Sequence, residues 1–221
     1  MPLLSHEPVG INPRVDCVFH ALLADPRHLE RLVDFLNAVL QRPAPIVSVE
    51  LRTPIQTAEY IGDGQIVVDI IATDSAGEVF QVEMQSRNHA ALKERMLLDW
   101  AILYKAQLEQ GDSYTALRPV VAIWILDENT FRGATGFHHR FRLRDDAGQI
   151  ELSSHLQVNV LELDRWRRNP DLTAPAGLGA LARRAPTASA RVLIVAPETM
   201  RAGLRFPPTS TRPSWRAPWP S

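Results

Sequence analysis

The run "PVVAIWIL", residues 119–126, constrains the fold more than any other part of the chain. It has no polar side chain, and it falls far short of the roughly 18 residues of a membrane span. Such a run reads as a strand covered on both faces, which requires a packed layer on each side of the sheet. The flanking segments can supply those layers. "NPRVDCVFHALLADP" predicts a short helix that Asp25-Pro26 ends and restarts, with Asp25 as N-cap and Pro26 in the first helical position. Leu29, Leu32, Val33, Leu36 and Leu40 then recur at helical spacing until "RPAP". "IVSVEL" (46–51) alternates as a strand does. From about Ala90 to Gln110 the period is helical again, with Leu92, Met96, Trp100, Leu103 and Gln107 on one line. Trp100 and Tyr104 read as core packing. "FHHRFRLR" (137–144) and "HLQVNVLEL" (155–163) are further strands. The order predicts an α/β fold, a central mixed sheet with helices on its faces.

Between the early strand and the long helix lies "GQIVVDIIATDSAGEVFQVEMQ", Gly64 to Gln85, which reads as a β-hairpin. A three-residue loop, Ser75-Ala76-Gly77, with Gly77 in the left-handed region pairs Asp74 with Glu78. Counting outward, Asp69 falls opposite Glu83. Phe80, Val82 and Met84 then share an apolar face with Val68, Ile70 and Ala72. Val79, Gln81, Glu83 and Gln85 share the other with Val67, Asp69 and Ile71. Two facing carboxylates repel and raise each other's pKa unless a cation lies between them. Hard oxygen ligands suit Mg²⁺ or Mn²⁺, and the backbone carbonyl of Met84 could complete such a set. Gln85 could hold a water or a phosphate oxygen. The alternative is a hairpin with one solvated face.

Composition narrows the class. The chain has 221 residues, enough for one domain with a real core, and a net charge of −1. A lone cysteine, Cys17, makes a reducing, cytoplasmic setting the default, and no signal peptide or membrane span is visible. Two lysines against 22 arginines suggest a GC-rich bacterial gene. Residues 171–221 carry seven arginines against two acids, which leaves residues 1–170 near −6. A polyanion would therefore need a local basic patch or bound cations. This tail holds eight prolines and no sustained period. The expectation is a domain over 1–170 and a poorly ordered tail over 171–221.

"VVDIIATDSAGEVFQVEMQ" resembles the core motif of the PD-(D/E)XK nucleases, and more closely the PD-(D/E)XK nuclease family transposases, or Rpn-type recombination-promoting nucleases. That group has an Asp at a strand end, a hairpin, then Glu-x-Gln in place of Glu-x-Lys. "NPRVDCVFHALLADP…LVDFLNAVL" resembles its N-terminal blocks. "ERMLLDWAILYKAQLEQGDSYTALRPVVAIWIL" resembles its arginine-containing aromatic helix and following strand, and "FHHRFRL…LQVNVLELDR" its late strands. The likeness runs from about residue 11 to 168. His20 and Arg165 stand where the family usually has Lys, and the family's helical C-terminal segment has no counterpart in 171–221. The Arg/Pro/Ala/Ser bias there is what a frameshift or truncation near 170–190 would produce.

The resemblance implies a restriction-endonuclease-like, three-layer core and Mg²⁺- or Mn²⁺-dependent hydrolysis of DNA phosphodiesters, linked to transposition or recombination. A homodimer is compatible with it. It assigns Asp69 and Glu83 to the metal and Gln85 to the position of the catalytic lysine. Gln85 can orient water but brings no charge. Arg95 is therefore a candidate for the missing cation, the alternative being an intrahelical pair with Asp99. Asp16 matches a family acid on the first helix and would lie near the metal, or else cap or solvate the helix. On "FHHRFRLR", His138, Arg140, Arg142 and Arg144 share a strand face suited to phosphate contact, or simply to solvent. A second reading keeps the fold without activity, as a decayed nuclease that only binds DNA or a protein partner. A third acts on RNA.

Overall fold

The computed structural model describes residues 16–52 and 70–169, excepting the side chains of residues 16–18 and 21. Two helices open the described chain, α1 (Asp16–Leu23) and α2 (Glu30–Leu40). Three strands follow, β1 (Val49–Leu51), β2 (Ile70–Asp74) and β3 (Val79–Gln85). Then come helix α3 (Leu92–Lys105), strands β4 (Val120–Leu126), β5 (His138–Arg144) and β6 (Glu151–Glu162), and a short helix α4 (Leu163–Arg168).

The six strands form one mixed sheet in the order β1-β2-β3-β4-β6-β5. β3, β4 and β6 run parallel, and the outer pairings are antiparallel. The "VVAIWIL" run becomes β4, buried at every position between β3 and β6. One face of the sheet carries Phe80, Val82, Met84, Val121, Ile123 and Ile125, packed with Phe19, Leu32, Leu36 and Val39 of α1 and α2. The other face carries Ala122, Trp124, Val158 and Val160, packed with Leu92 and Met96 of α3, and Ile71 and Val120, packed with Leu103. This is the expected three-layer α/β arrangement, consistent with a restriction-endonuclease-like fold.

The hairpin register is the predicted one over its described part. Ile70 faces Val82, Ile71 faces Gln81, Ala72 faces Phe80 and Thr73 faces Val79. Gly77 has φ +82, and the Asp74 N–H donates to the Glu78 carbonyl at 3.1 Å. The Asp74 side chain also accepts from the N–H groups of Ala76 and Glu78, both at 2.9 Å, so the aspartate holds the loop as well as flanking it.

Three local expectations are corrected. Asp25 does not cap α2, which begins five residues later at Glu30. Its carboxylate is taken by the backbone and guanidinium of Arg27, which closes a separate turn. The strand predicted over 46–51 starts only at Val49. The Asn37 side chain captures Ile46 instead, accepting from its N–H at 2.8 Å and donating to its carbonyl at 2.9 Å. The line of buried residues on α3 is Leu92, Met96, Asp99 and Leu103, with Asp99 in the place predicted for Trp100. Trp100 sits half-buried beside that line, donating its indole N–H to the Val120 carbonyl at 3.0 Å and stacking on Tyr104.

Candidate active site

On the described part of the hairpin's polar face, Gln81 and Glu83 are withdrawn from solvent. Alternation along β3 points Gln81, Glu83 and Gln85 toward the layer occupied by α3, away from Phe80, Val82 and Met84. Gln81 is fully buried and Glu83 only 4 % exposed. Burying a carboxylate on a central strand is costly unless it is paired. Glu83 is paired by Arg95 from the first turns of α3, whose Nη2 donates to Oε1 at 2.8 Å. The Arg95 guanidinium lies over the Trp124 ring, 5.5 Å from its centroid, and Trp124 is the β4 neighbour of Glu83. The same guanidinium is 3.4 Å from Asp99 through Nε. The intrahelical pair with Asp99 is thus present, and Arg95 also makes a contact with Glu83 that the sequence reading did not offer.

Asp99 is fully buried. Burial pushes its carboxyl pKa up, and the nearby Arg95 charge only partly opposes this. Neither of its oxygens accepts a well-formed hydrogen bond, and the Gln81 amide and the Trp124 indole N–H are likewise without partners. Native cores rarely leave several such groups together. The sheet–α3 layer thus holds a concentrated polar centre inside an apolar seam. Sequence spacing placed Gln81 on this face but gave Asp99 only a helix-surface role. Its signal was position 99 falling at i+3 from Met96 and i−4 from Leu103.

The remaining candidates lie as follows. Gln85, at the C-terminal end of β3, donates its amide to the Arg87 carbonyl at 2.7 Å. Met84 points its side chain into the opposite core. Asp16 is the first residue of α1, and its side chain is not among the described ones. Asp69, the residue before Ile70, lies outside the described residues, as does the tail over 171–221.

The structure does not bring His138, Arg140, Arg142 and Arg144 to Glu83. They lie on β5, the sheet edge three strands away. Arg140 donates to the Val39 carbonyl on the α2 side of the sheet. Arg142 donates to Gln157, and Arg144 to Glu151 and the Gly148 carbonyl. His138 bonds Asn159 at 3.2 Å, and burial pulls its pKa down to about 4, against that hydrogen bond.

A third buried carboxylate, Glu162, ends β6. It accepts from the N–H groups of Thr130 and Phe131, from Arg165 at 2.7 Å and from His139 at 3.2 Å. Burial would raise its pKa, but these donors together outweigh that and hold it below the usual carboxylate range. Arg165 goes on to the carbonyls of Phe131 and Ala134. The "ELDR" segment is therefore a latch that fixes the loop after β4.

A mixed sheet with three parallel central strands, sandwiched by helices and carrying a buried Glu at the second strand of a hairpin, is consistent with the α/β core of restriction-endonuclease-like proteins. The family model of the PD-(D/E)XK nuclease family transposases matches residues 13–173, and the chain belongs to that family. No curated protein and no solved structure gives a significant match.

Proposed function

We propose that this chain is a divalent-metal-dependent endonuclease that hydrolyses DNA phosphodiesters in the movement or recombination of mobile DNA, in a bacterial cytoplasm. The observation that carries the reading is the burial of Glu83 under α3, with a cation already against it. A solvated hairpin face would need neither.

Among the described residues, no group of three or more His, Cys, Asp or Glu side chains is arranged to hold a metal. The donor set nonetheless fits one. Glu83 and the Met84 carbonyl are hard oxygens, and the unpartnered Gln81 carbonyl oxygen is on the same face two residues away. Asp69, which the family resemblance assigns to the metal and which lies outside the described residues, is taken as the further carboxylate. When bound there, Mg²⁺ or Mn²⁺ would neutralise charge on the phosphate and lower the pKa of a water.

The chain's own residues divide the remaining work. Asp69 and Glu83 would hold the cation. Gln85, freed from the Arg87 carbonyl, orients the attacking water through its amide. Arg95 supplies this layer with the positive charge that Gln85, standing where related nucleases have lysine, does not. The DNA substrate follows from the family. No helix among the described residues is long and apolar enough to cross a membrane.

The test is nicking of supercoiled plasmid by the full chain in Mg²⁺ or Mn²⁺, with chelator, Asp69→Ala and Glu83→Ala controls. Nicking that stops in all three controls supports the assignment. Nicking that survives either substitution removes it, and no nicking with any metal favours a decayed nuclease that only binds.

A further inference from the structure

Asp99 occupies a position that packing reserves for an apolar residue. Of its neighbours in the buried line of α3, Met96 packs with the group that includes Ala122 and Trp124, and Leu103 with Ile71 and Val120. Gln81 is the strand residue paired with both Ile71 and Ala122. Asp99 and Gln81 thus occupy the same slice of the α3–sheet layer, and neither has its hydrogen bonds filled. Replacing a buried, poorly paired charge with an apolar residue is commonly neutral or stabilising, so stability does not account for Asp99.

Arg95 gives it a role. One guanidinium is shared unequally between two buried carboxylates, with a hydrogen bond of 2.8 Å to Glu83 and a loose 3.4 Å approach to Asp99. A guanidinium and a divalent cation on the same carboxylate repel each other strongly in a low-dielectric layer. Moving Arg95 off Glu83 into an apolar seam would be prohibitive without a second anion. Asp99 is that anion, one helical turn along, with two oxygens still open to hydrogen bonds.

We propose that Asp99 is a positioning residue that draws Arg95 away from Glu83 when Glu83 takes a divalent cation, and so sets how tightly the centre binds metal. This rests on the nuclease reading above. Asp99 touches neither metal nor substrate and acts through Arg95.

The test is calorimetric titration of Mn²⁺ into the full chain and into Asp99→Asn, Arg95→Met and the double variant. Asp99→Asn is expected to weaken Mn²⁺ binding on the order of tenfold, a typical coupling between adjacent sites. The double variant is expected to bind as Arg95→Met does. Unchanged affinity in Asp99→Asn overturns the proposal, as does a loss that persists once Arg95 is gone. Absence of Mn²⁺ binding by the wild type overturns the nuclease reading itself, and this proposal with it. Arg95→Met leaves two buried carboxylates without their cation and can unfold the chain. A second readout therefore uses the Arg95 Nε–H resonance with diamagnetic Mg²⁺. It is expected to shift on Mg²⁺ addition in the wild type and to stay in Asp99→Asn, and a resonance that does not move in the wild type overturns the proposal.

Discussion

Glu83 has a hydrogen bond from Arg95 and almost no contact with water, so its charge is held by the protein and not by solvent. Gln85 is the contrasting residue. It lies two positions on, at the strand end, with its amide turned back onto the Arg87 carbonyl and free to exchange that bond for another. If its work is to orient water, Gln85→Ala should lower single-turnover cleavage about 10- to 100-fold, within the usual range for losing one positioned polar group, and leave Mn²⁺ affinity unchanged. Parallel cleavage and titration experiments check this, and a lost Mn²⁺ affinity would place Gln85 among the metal ligands instead. The Glu83 side of the centre was legible because strand alternation is rigid and Gly77 fixed the loop. Asp99 was not. Helical spacing offered Trp100 as the apolar choice, and only the sheet, through the Val120 carbonyl, draws that indole aside.

Among the elements, α2 and the hairpin are tied by polar contacts that periodicity cannot reveal. Asn37 bonds both backbone groups of Ile46 and so sets where β1 begins. Arg42, just beyond α2, makes a bidentate pair with Glu78 in the hairpin, the nearer bond at 2.5 Å. Asn37→Ala should leave the Ile46 N–H and carbonyl without partners in a half-buried site, at a cost of about 1–3 kcal/mol. Urea denaturation checks this, and an unchanged midpoint would show that water replaces the amide fully. The row on β5 shows another limit of the sequence. Alternation predicts His138, Arg140, Arg142 and Arg144 on one face, but the β5 register against β6 shifts between Arg142 and Arg144. It could not show that β6 inserts between β4 and β5, which carries the row to the edge of the sheet. The Arg140 partner on α2, Val39, is far away in sequence, whereas Arg144 is held by the nearby Gly148 and Glu151.

Across the whole molecule, the two buried networks respond to pH in different windows. His138 in the folded chain takes a proton only near pH 4, whereas an ordinary histidine does so near 6.5. Between those values the unfolded chain binds more protons, so stability should fall as pH drops from about 6.5 to 4. Glu162 has a depressed pKa, so its contribution is present above the ordinary glutamate range and is lost only as pH falls through its lower folded value. His138→Gln should therefore flatten the slope of stability between pH 6.5 and 4 and leave the steeper loss below it. Denaturant midpoints at a series of pH values check this. An unaltered slope would mean that other groups carry the transition.

On the proposed function, the buried polar face of β3 performs chemistry and is not a packing solution. Glu83→Gln tests it most directly, since it keeps the shape and the buried position while removing the charge. Single-turnover DNA cleavage at saturating Mg²⁺ should fall by at least about 10²-fold, with the chain still folded. A folded Glu83→Gln chain that cleaves at the wild-type rate would contradict the account.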